Sequence, residues 1–331
     1  HQLGIEGGRL AGILVHHLMG GEGDPYLREA LLGFEAREQL EAYLQALQAV
    51  INRHDILRTA ILWEGLPEPV QVVWREAPVM VQEVTFGSDV EDVAKQLRSR
   101  FDARRYRMDV RRAPLVVVFI ASDPATGHWL GLHLFHHLAI DHTTFEFVRQ
   151  EIVAHLLGRA DQLPPPLPFR NFVAQARLGA GEQEHEAFFR KMLGDVDEPT
   201  APFGLVDVWG GGSDIVEASC GIDPVLSGRI RAQARALRVS SASLFHTAWA
   251  QVLGRLSGRR DVVFGTVLFG RLQGGLGADR ALGLFLSTLP LRVQLGDQDV
   301  RSSILEVYGL LAELVRHEHA PLSLAQRCSL L

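Results

Sequence analysis

Apolar positions along this chain follow two rhythms. From about Ala36 to Asn52, Leu40, Tyr43, Leu44, Leu47, Val50 and Ile51 recur every three or four residues. One buried stripe of that period predicts a helix. Val70 to Trp74 and Val79 to Thr85 are rich in β-branched residues and predict strands. Val90 to Arg105 has helical spacing with basic outer positions, whereas Leu115 to Ala121 is almost continuously apolar, as a strand buried on both faces requires. A turn at Asp123-Pro124-Ala125-Thr126-Gly127 leads into an alternating stretch, His128 to His136. Alternation puts Leu130, Leu132, Leu134 and His136 on one face, with Trp129, His133, Phe135 and His137 on the other. Thr143 and Glu146 have the spacing of a capping box and open a predicted helix to about Leu157.

The proline-rich stretch Leu163 to Pro168 cannot continue that helix and reads as a linker. Beyond it the pattern predicts helices near 183–193, 224–237, 241–256 and 300–318, and strands near 215–220, 262–269 and 288–294. Trp209-Gly210-Gly211-Gly212-Ser213 reads as a loop. Helices and strands mix on both sides of the prolines. The expected class is therefore α/β (α+β), with two sandwich-like lobes at residues 1–165 and 166–331.

Composition narrows the function classes. The 331 residues are 47% hydrophobic and 22% charged, enough for a buried core and unlike a disordered chain. No apolar run approaches the ~20 residues that span a bilayer, so no membrane role is expected. The net charge of −6 comes from interleaved acids and bases, with no basic tract for nucleic acid. Cys220 and Cys328 lie far apart and form no CxxC, which argues against a disulfide framework and fits a reducing cytoplasm.

Chemistry concentrates in His133-Leu134-Phe135-His136-His137-Leu138-Ala139-Ile140-Asp141-His142. A metal site is one reading, since His and Asp are ligand types. Four strand residues span roughly 13 Å, however, so His133 and His137 cannot share an ion, and only His137, Asp141 and His142, beyond the strand end, could converge on one. Buried histidines that only satisfy hydrogen bonds are a second reading. The third is acid–base catalysis: imidazole titrates near neutrality, and a strand end places it at a cleft edge with an aspartate to orient the ring or fix the turn. No serine or cysteine nucleophile stands beside the pair, so the chemistry would be direct transfer between two bound substrates.

His136, His137 and Asp141 match the HHxxxDG signature of nonribosomal peptide synthetase condensation domains, which this sequence resembles, with His142 at the glycine. Other segments agree in order. Arg53 to Thr59 is similar to RHxxLRT, and Phe169 to Phe172 to the aromatic segment that follows. Leu282 to Pro290 resembles GxFVNTxP with Ser287 for Asn, and His317 to Leu322 resembles HQxxPFE. His16-His17-Leu18 followed by Gly23-Asp24 is similar to HHLxxxxGD, the mark of dual epimerization/condensation domains; a helix end followed by a glycine loop is the plain alternative.

The resemblance implies two chloramphenicol-acetyltransferase-like lobes in a V-shaped pseudo-dimer, with the active site between them on a tunnel. It implies amide formation between thioesters delivered on phosphopantetheine arms by upstream donor and downstream acceptor peptidyl carrier proteins, beside an adenylation domain, with no intrinsic cofactor and no metal. His137 would be the base or would position the amine. His136 and Asp141 would be structural, Asp141 paired with Arg271 or Arg58. His16 or His17 would assist His137 in epimerization, and His142, Ser287 and Thr288 would line the tunnel. Arg53 and Arg58 also suit a simpler role, neutralising the C-terminal dipole of the helix before them. A coenzyme A-dependent acyltransferase, a pure epimerization domain and a non-catalytic carrier-recruiting domain stay open, as does plain condensation. The family's chains continue past the segment matched by His317 to Leu322, so a truncated second lobe is expected.

Overall fold

The computed structural model describes residues 2–4, 9–20, 23–87, 90–178, 181–206, 218–271 and 277–331. They form two compact units. One holds the described residues within 2–175 and 277–285; the other holds those within 176–206, 218–271 and 286–331. The division runs through a helix after the prolines and returns the stretch ending at Phe285 to the first unit. Hydrogen bonds described below tie that stretch to the first unit's helix.

In the first unit, β1 (Gln2–Gly4), α1 (Arg9–Met19), β2 (Leu27–Phe34), α2 (Arg37–Arg53), β3 (Thr59–Leu62), β4 (Val70–Val73), β5 (Met80–Glu83), α3 (Val93–Arg100), β6 (Val116–Ser122), β7 (Trp129–His136) and α4 (His142–Leu156) follow in order. The principal sheet has the order β2-β7-β6-β5; only the β5–β6 pair is parallel. A second sheet runs β1-β4-β3.

The continuous apolar run 115–121 does form an inner strand, β6, with Val116 to Ala121 buried. Helices explain why both faces are covered. Tyr43 of α2 meets His133 at 5.2 Å between ring centroids, and Phe145 of α4 stacks on Phe135 at 4.8 Å. On the opposite face Phe101, at the end of α3, stacks on Phe119 at 3.6 Å, and His17 of α1 meets His136 edge-on at 5.4 Å. A strand between two such layers must be apolar in both directions.

Some expectations change. Asp92 accepts from Lys95 N and starts α3 at Val93, three residues later than the pattern suggests, and the helix ends at Arg100, short of the expected Arg105. Residues 215–217 of one predicted strand and the loop at 209–213 lie outside the described residues, and Ala218 to Cys220 are not in a strand. β2 is missed by pattern alone. Its sequence LREALLGF alternates poorly because it is an edge strand, and only its pairing with β7, Leu27 opposite His136 and Phe34 opposite Trp129, makes it a strand.

α5 (Phe169–Leu178) begins in the first unit. The second unit holds α6 (Glu182–Leu193), α7 (Pro224–Leu237), α8 (Ser241–Ser257), β8 (Asp261–Leu268), β9 (Ser287–Gln294), α9 (Val300–Arg316) and α10 (Leu322–Arg327). β8 and β9 pair antiparallel, and their Val262, Leu289 and Leu291 form a core with Phe189, Ala250, Val307 and Leu314 of the helices.

Candidate active site

β7 is held at its end from both neighbours. His136 N donates to Leu115 O at 3.0 Å, and His137 N donates to Tyr26 O at 3.0 Å. The chain then turns, with Ala139 N and Ile140 N both donating to His136 O, and enters α4. The start of that helix corrects the capping-box expectation. Its N-cap is Asp141, whose Oδ1 accepts from Thr144 N at 2.7 Å. Thr143 and Glu146 do not form the cap, because the turn closes at Asp141, two residues before Thr143. The aspartate of the HHxxxD pattern is thus the cap of the helix that follows it.

Asp141 does more. Its Oδ2 accepts from Phe285 N at 3.2 Å, and Thr144 Oγ1 donates to Gly283 O at 2.8 Å and accepts from Gly283 N at 2.9 Å. The first turn of α4 therefore clamps the 283–285 backbone. Gly283 has φ of +145°, and a Cβ there would lie 2.3 Å from the Phe169 ring, so no side chain fits. Phe285 in turn sits edge-on to Phe169 and Phe172, at 5.5 and 5.4 Å.

The RHxxLRT-like segment joins the same construction. His54 Nε2 and Arg53 Nε meet Glu151 of α4 at 2.9 and 3.2 Å, and Asp55 accepts from Phe169 N at 3.0 Å. Arg53 therefore anchors α4 through an ion pair, beyond any dipole effect. Arg58 donates to the carbonyls of Trp74 and Arg75. This corrects its assignment as an Asp141 partner: its guanidinium is committed where β3 meets the end of β4. Arg271 lies after β8 in the second unit.

His137 is half-buried, and its Nδ1 lies 2.9 Å from Ile140 O. A carbonyl only accepts, so the proton sits on Nδ1 and Nε2 carries a lone pair. Burial is the largest influence on the ring and lowers its pKa, against the opposing pull of the Ile140 carbonyl. At neutral pH the ring is neutral and oriented.

His136 faces the other way, fully buried. Its Nδ1 accepts from Leu138 N at 3.0 Å, so its proton is on Nε2, which points at Asp24 Oδ2 at 2.8 Å. His17 Nδ1 meets the same oxygen at 2.6 Å, and Tyr26 N donates to Asp24 Oδ1 at 2.9 Å. Burial alone would raise the Asp24 carboxyl; the His136 and His17 hydrogen bonds overcome it and hold the group far below the usual carboxylate range. His16 is exposed, with Nδ1 3.0 Å from the Tyr26 hydroxyl.

The two histidine motifs, 112 residues apart between Asp24 and His136, thus share one carboxylate. Gly23, with φ of +85°, makes this possible: a Cβ would strike Arg104 O at 1.8 Å. His17, Asp24 and His136 are close enough to suggest an ion site. The donor set does not fit one. His136 Nδ1 already accepts an amide, so ligation through Nε2 would require an imidazolate.

The remaining expected residues differ in exposure. His142 is exposed at the first position of α4. Ser287 is buried and donates to Glu318 O at 3.0 Å, while Thr288 is exposed on β9. Asp24, Thr144, Glu151 and Asp55 carry the site's scaffolding, and only Asp24 has a sequence signal, as the last letter of the N-terminal motif.

Buried neutral histidines make stability pH-dependent. Burial lowers His133 from 6.5 to about 4, and also lowers His136. The unfolded chain takes protons first as pH falls, so stability is full above about pH 6.5 and declines below it; the His133 contribution stops declining near pH 4. For His133 the decline is on the order of 3 kcal/mol. Urea unfolding at pH 7 and pH 4.5 checks this: His133→Leu is expected to lose less stability than the parent over that interval.

The family model of the condensation domain matches residues 11–329. This chain is a condensation domain. It is 52% identical over 318 residues to malpibaldin synthetase of Mortierella alpina, covering 96% of this chain and 6% of that protein. Malpinin synthetase of the same organism is 46% identical over 96% of this chain and 4% of its own length. The domain therefore corresponds to a small part of these curated synthetases. The first condensation domain of the CDA synthetase matches in structure with a TM-score of 0.72 at 19% identity, over 97% of this chain and 76% of that one. The fold is accordingly the chloramphenicol-acetyltransferase-like fold of condensation domains. No helix among the described residues is long and apolar enough to cross a membrane.

Proposed function

We propose that this condensation domain joins two carrier-tethered aminoacyl or peptidyl thioesters into an amide, after inverting the Cα of the donor residue. An upstream carrier presents the donor and a downstream carrier the acceptor, each on its own phosphopantetheine arm, beside an adenylation domain of the same cytoplasmic synthetase. The observation that carries the reading is His137, whose Nδ1–H is held by Ile140 O and whose neutral Nε2 is left as an acceptor.

The acceptor amine attacks the donor carbonyl carbon. A C–N bond forms, His137 Nε2 takes one amine proton, the C–S bond breaks, and the imidazolium returns the proton to the departing thiolate. No covalent enzyme intermediate is required. Holding both arms together makes the encounter effectively intramolecular. The role of Asp141 is to fix the turn that aims His137, through the α4 cap and Phe285 N.

Epimerization needs a proton removed from one face of Cα and delivered to the other, which two bases do economically. His17 supports this role. Its Nδ1–H is oriented by Asp24, and the residue lines a cleft of about 400 Å³ with Trp63 and Arg107. His16 is more exposed and leans on Tyr26. The test is a two-carrier assay read by intact mass, with chiral analysis of the product. His17→Ala is expected to spare condensation of a D-configured donor and to slow an L-configured donor about tenfold or more. Equal losses with both donors would make the motif structural and leave plain condensation.

A further inference from the structure

Opposite the Asp24 cluster, on the α2 and α4 side of β7, lies a cavity of about 270 Å³. It is a slot between two elements. Ala30, Leu32 and Phe34 of β2 line one side, and Phe145, Val148 and Ile152 of α4 line the other. Leu32, Val153 and Leu156 are exposed wall residues, so the slot opens to solvent between the strand and the helix.

His137 stands at the end of the same slot. Its N–H donates to Tyr26 O, which carries the β2–β7 pairing one residue past β7, and its Nδ1–H donates to Ile140 O at the entry to α4. Phe135, two residues earlier and so on the same strand face, lines the slot, as does the Ile140 side chain. The backbone of His137 is therefore about 7 Å along the strand from that wall. A side chain attached to a residue reacting at His137 starts within reach of the slot.

The polar groups among the walls leave the slot apolar. Arg149 is paired at the rim with Glu146 at 3.1 Å. His133 is uncharged at neutral pH, and its Nε2 is closed off beside Gly131. A charged guest gains no partner here and loses its water, whereas an apolar guest gains by leaving water. Size narrows the class: a cavity of roughly 150 Å³ accepts benzene, so this one holds a side chain as large as Leu, Phe or Trp.

We propose that the slot takes the side chain of one of the two residues being joined and selects a bulky apolar one. This rests on the condensation reading above and adds the class of residue.

The test is the two-carrier assay with one residue held fixed while the other is varied, each carrier in turn. On one carrier, Leu or Phe is expected to be used at least about tenfold better than Ala in kcat/KM, and Asp or Lys no better than Ala. Ala30→Phe adds bulk at the half-buried edge-strand wall and is expected to bring Phe and Ala within about twofold of each other. A second readout needs neither turnover nor a variant. A carrier bearing a diazirine analogue of leucine through a non-hydrolysable amide is expected, on irradiation, to label residues within 30–34 or 145–156. No amide from any pair of residues would overturn the reaction and the slot's role together. Similar rates with Ala, Leu and Phe on both carriers, a preference kept by a folded Ala30→Phe protein, or labels confined elsewhere would overturn the slot's role and leave the reaction standing.

Discussion

His137→Ala loses condensation by about 10²–10⁴-fold in a two-carrier assay, the range for removal of a positioned general base. The reasoning starts from a single hydrogen bond. Ile140 O fixes which nitrogen of His137 carries the proton, and burial keeps the ring neutral, so Nε2 is ready to accept at pH 7. The variant is expected to fold, because the loss costs only a half-buried side chain and one hydrogen bond to a backbone carbonyl. Unfolding measurements should therefore show a change of about 1–2 kcal/mol at most. A folded variant with normal turnover would sink the assignment. A variant whose activity returns with added imidazole would strengthen it.

Asp24→Asn has the largest expected effect on stability. The Asp24 carboxylate accepts from three donors: His17 Nδ1, His136 Nε2 and Tyr26 N. An amide must turn its NH₂ toward one of those donors, leaving a buried donor facing a donor. Hydrogen bonds to charged groups contribute about 1.5–3 kcal/mol each, so a loss of roughly 3 kcal/mol is expected in denaturant unfolding. Activity should also fall, by about tenfold or more, even where the variant is fully folded. The route is short: Asp24 fixes Tyr26, and Tyr26 O receives the His137 amide. Small displacements at a reacting centre are costly. A stable, fully active Asp24→Asn protein would show that the shared carboxylate supports neither the fold nor the site.

The position of each motif was legible in the sequence, but its purpose was not. HHxxxD was recognisable as a strand end followed by a helix, and the run 115–121 as a doubly covered strand, because side-chain period reports burial directly. The same period could not find β2. An edge strand with Arg28 and Glu29 facing solvent carries little alternation, and only β7 opposite it supplies the partner. The capping box at Thr143 was a reasonable local match that lost to Asp141, since a cap is decided by where the turn closes.

The sequence alone determined the mixed α/β class, the histidine-bearing strand end, and the resemblance that the family match then established. Those are local or ordered properties, written in residue type and spacing. Only the tertiary structure decided that Asp24 joins the two histidine motifs, that Arg58 serves the carbonyls of Trp74 and Arg75, and that Asp141 and Thr144 clamp the backbone at Gly283 and Phe285. Each is a contact between residues far apart in the chain. Periodicity carries no information about such pairs, because which buried donor meets which acceptor is settled only when the elements pack.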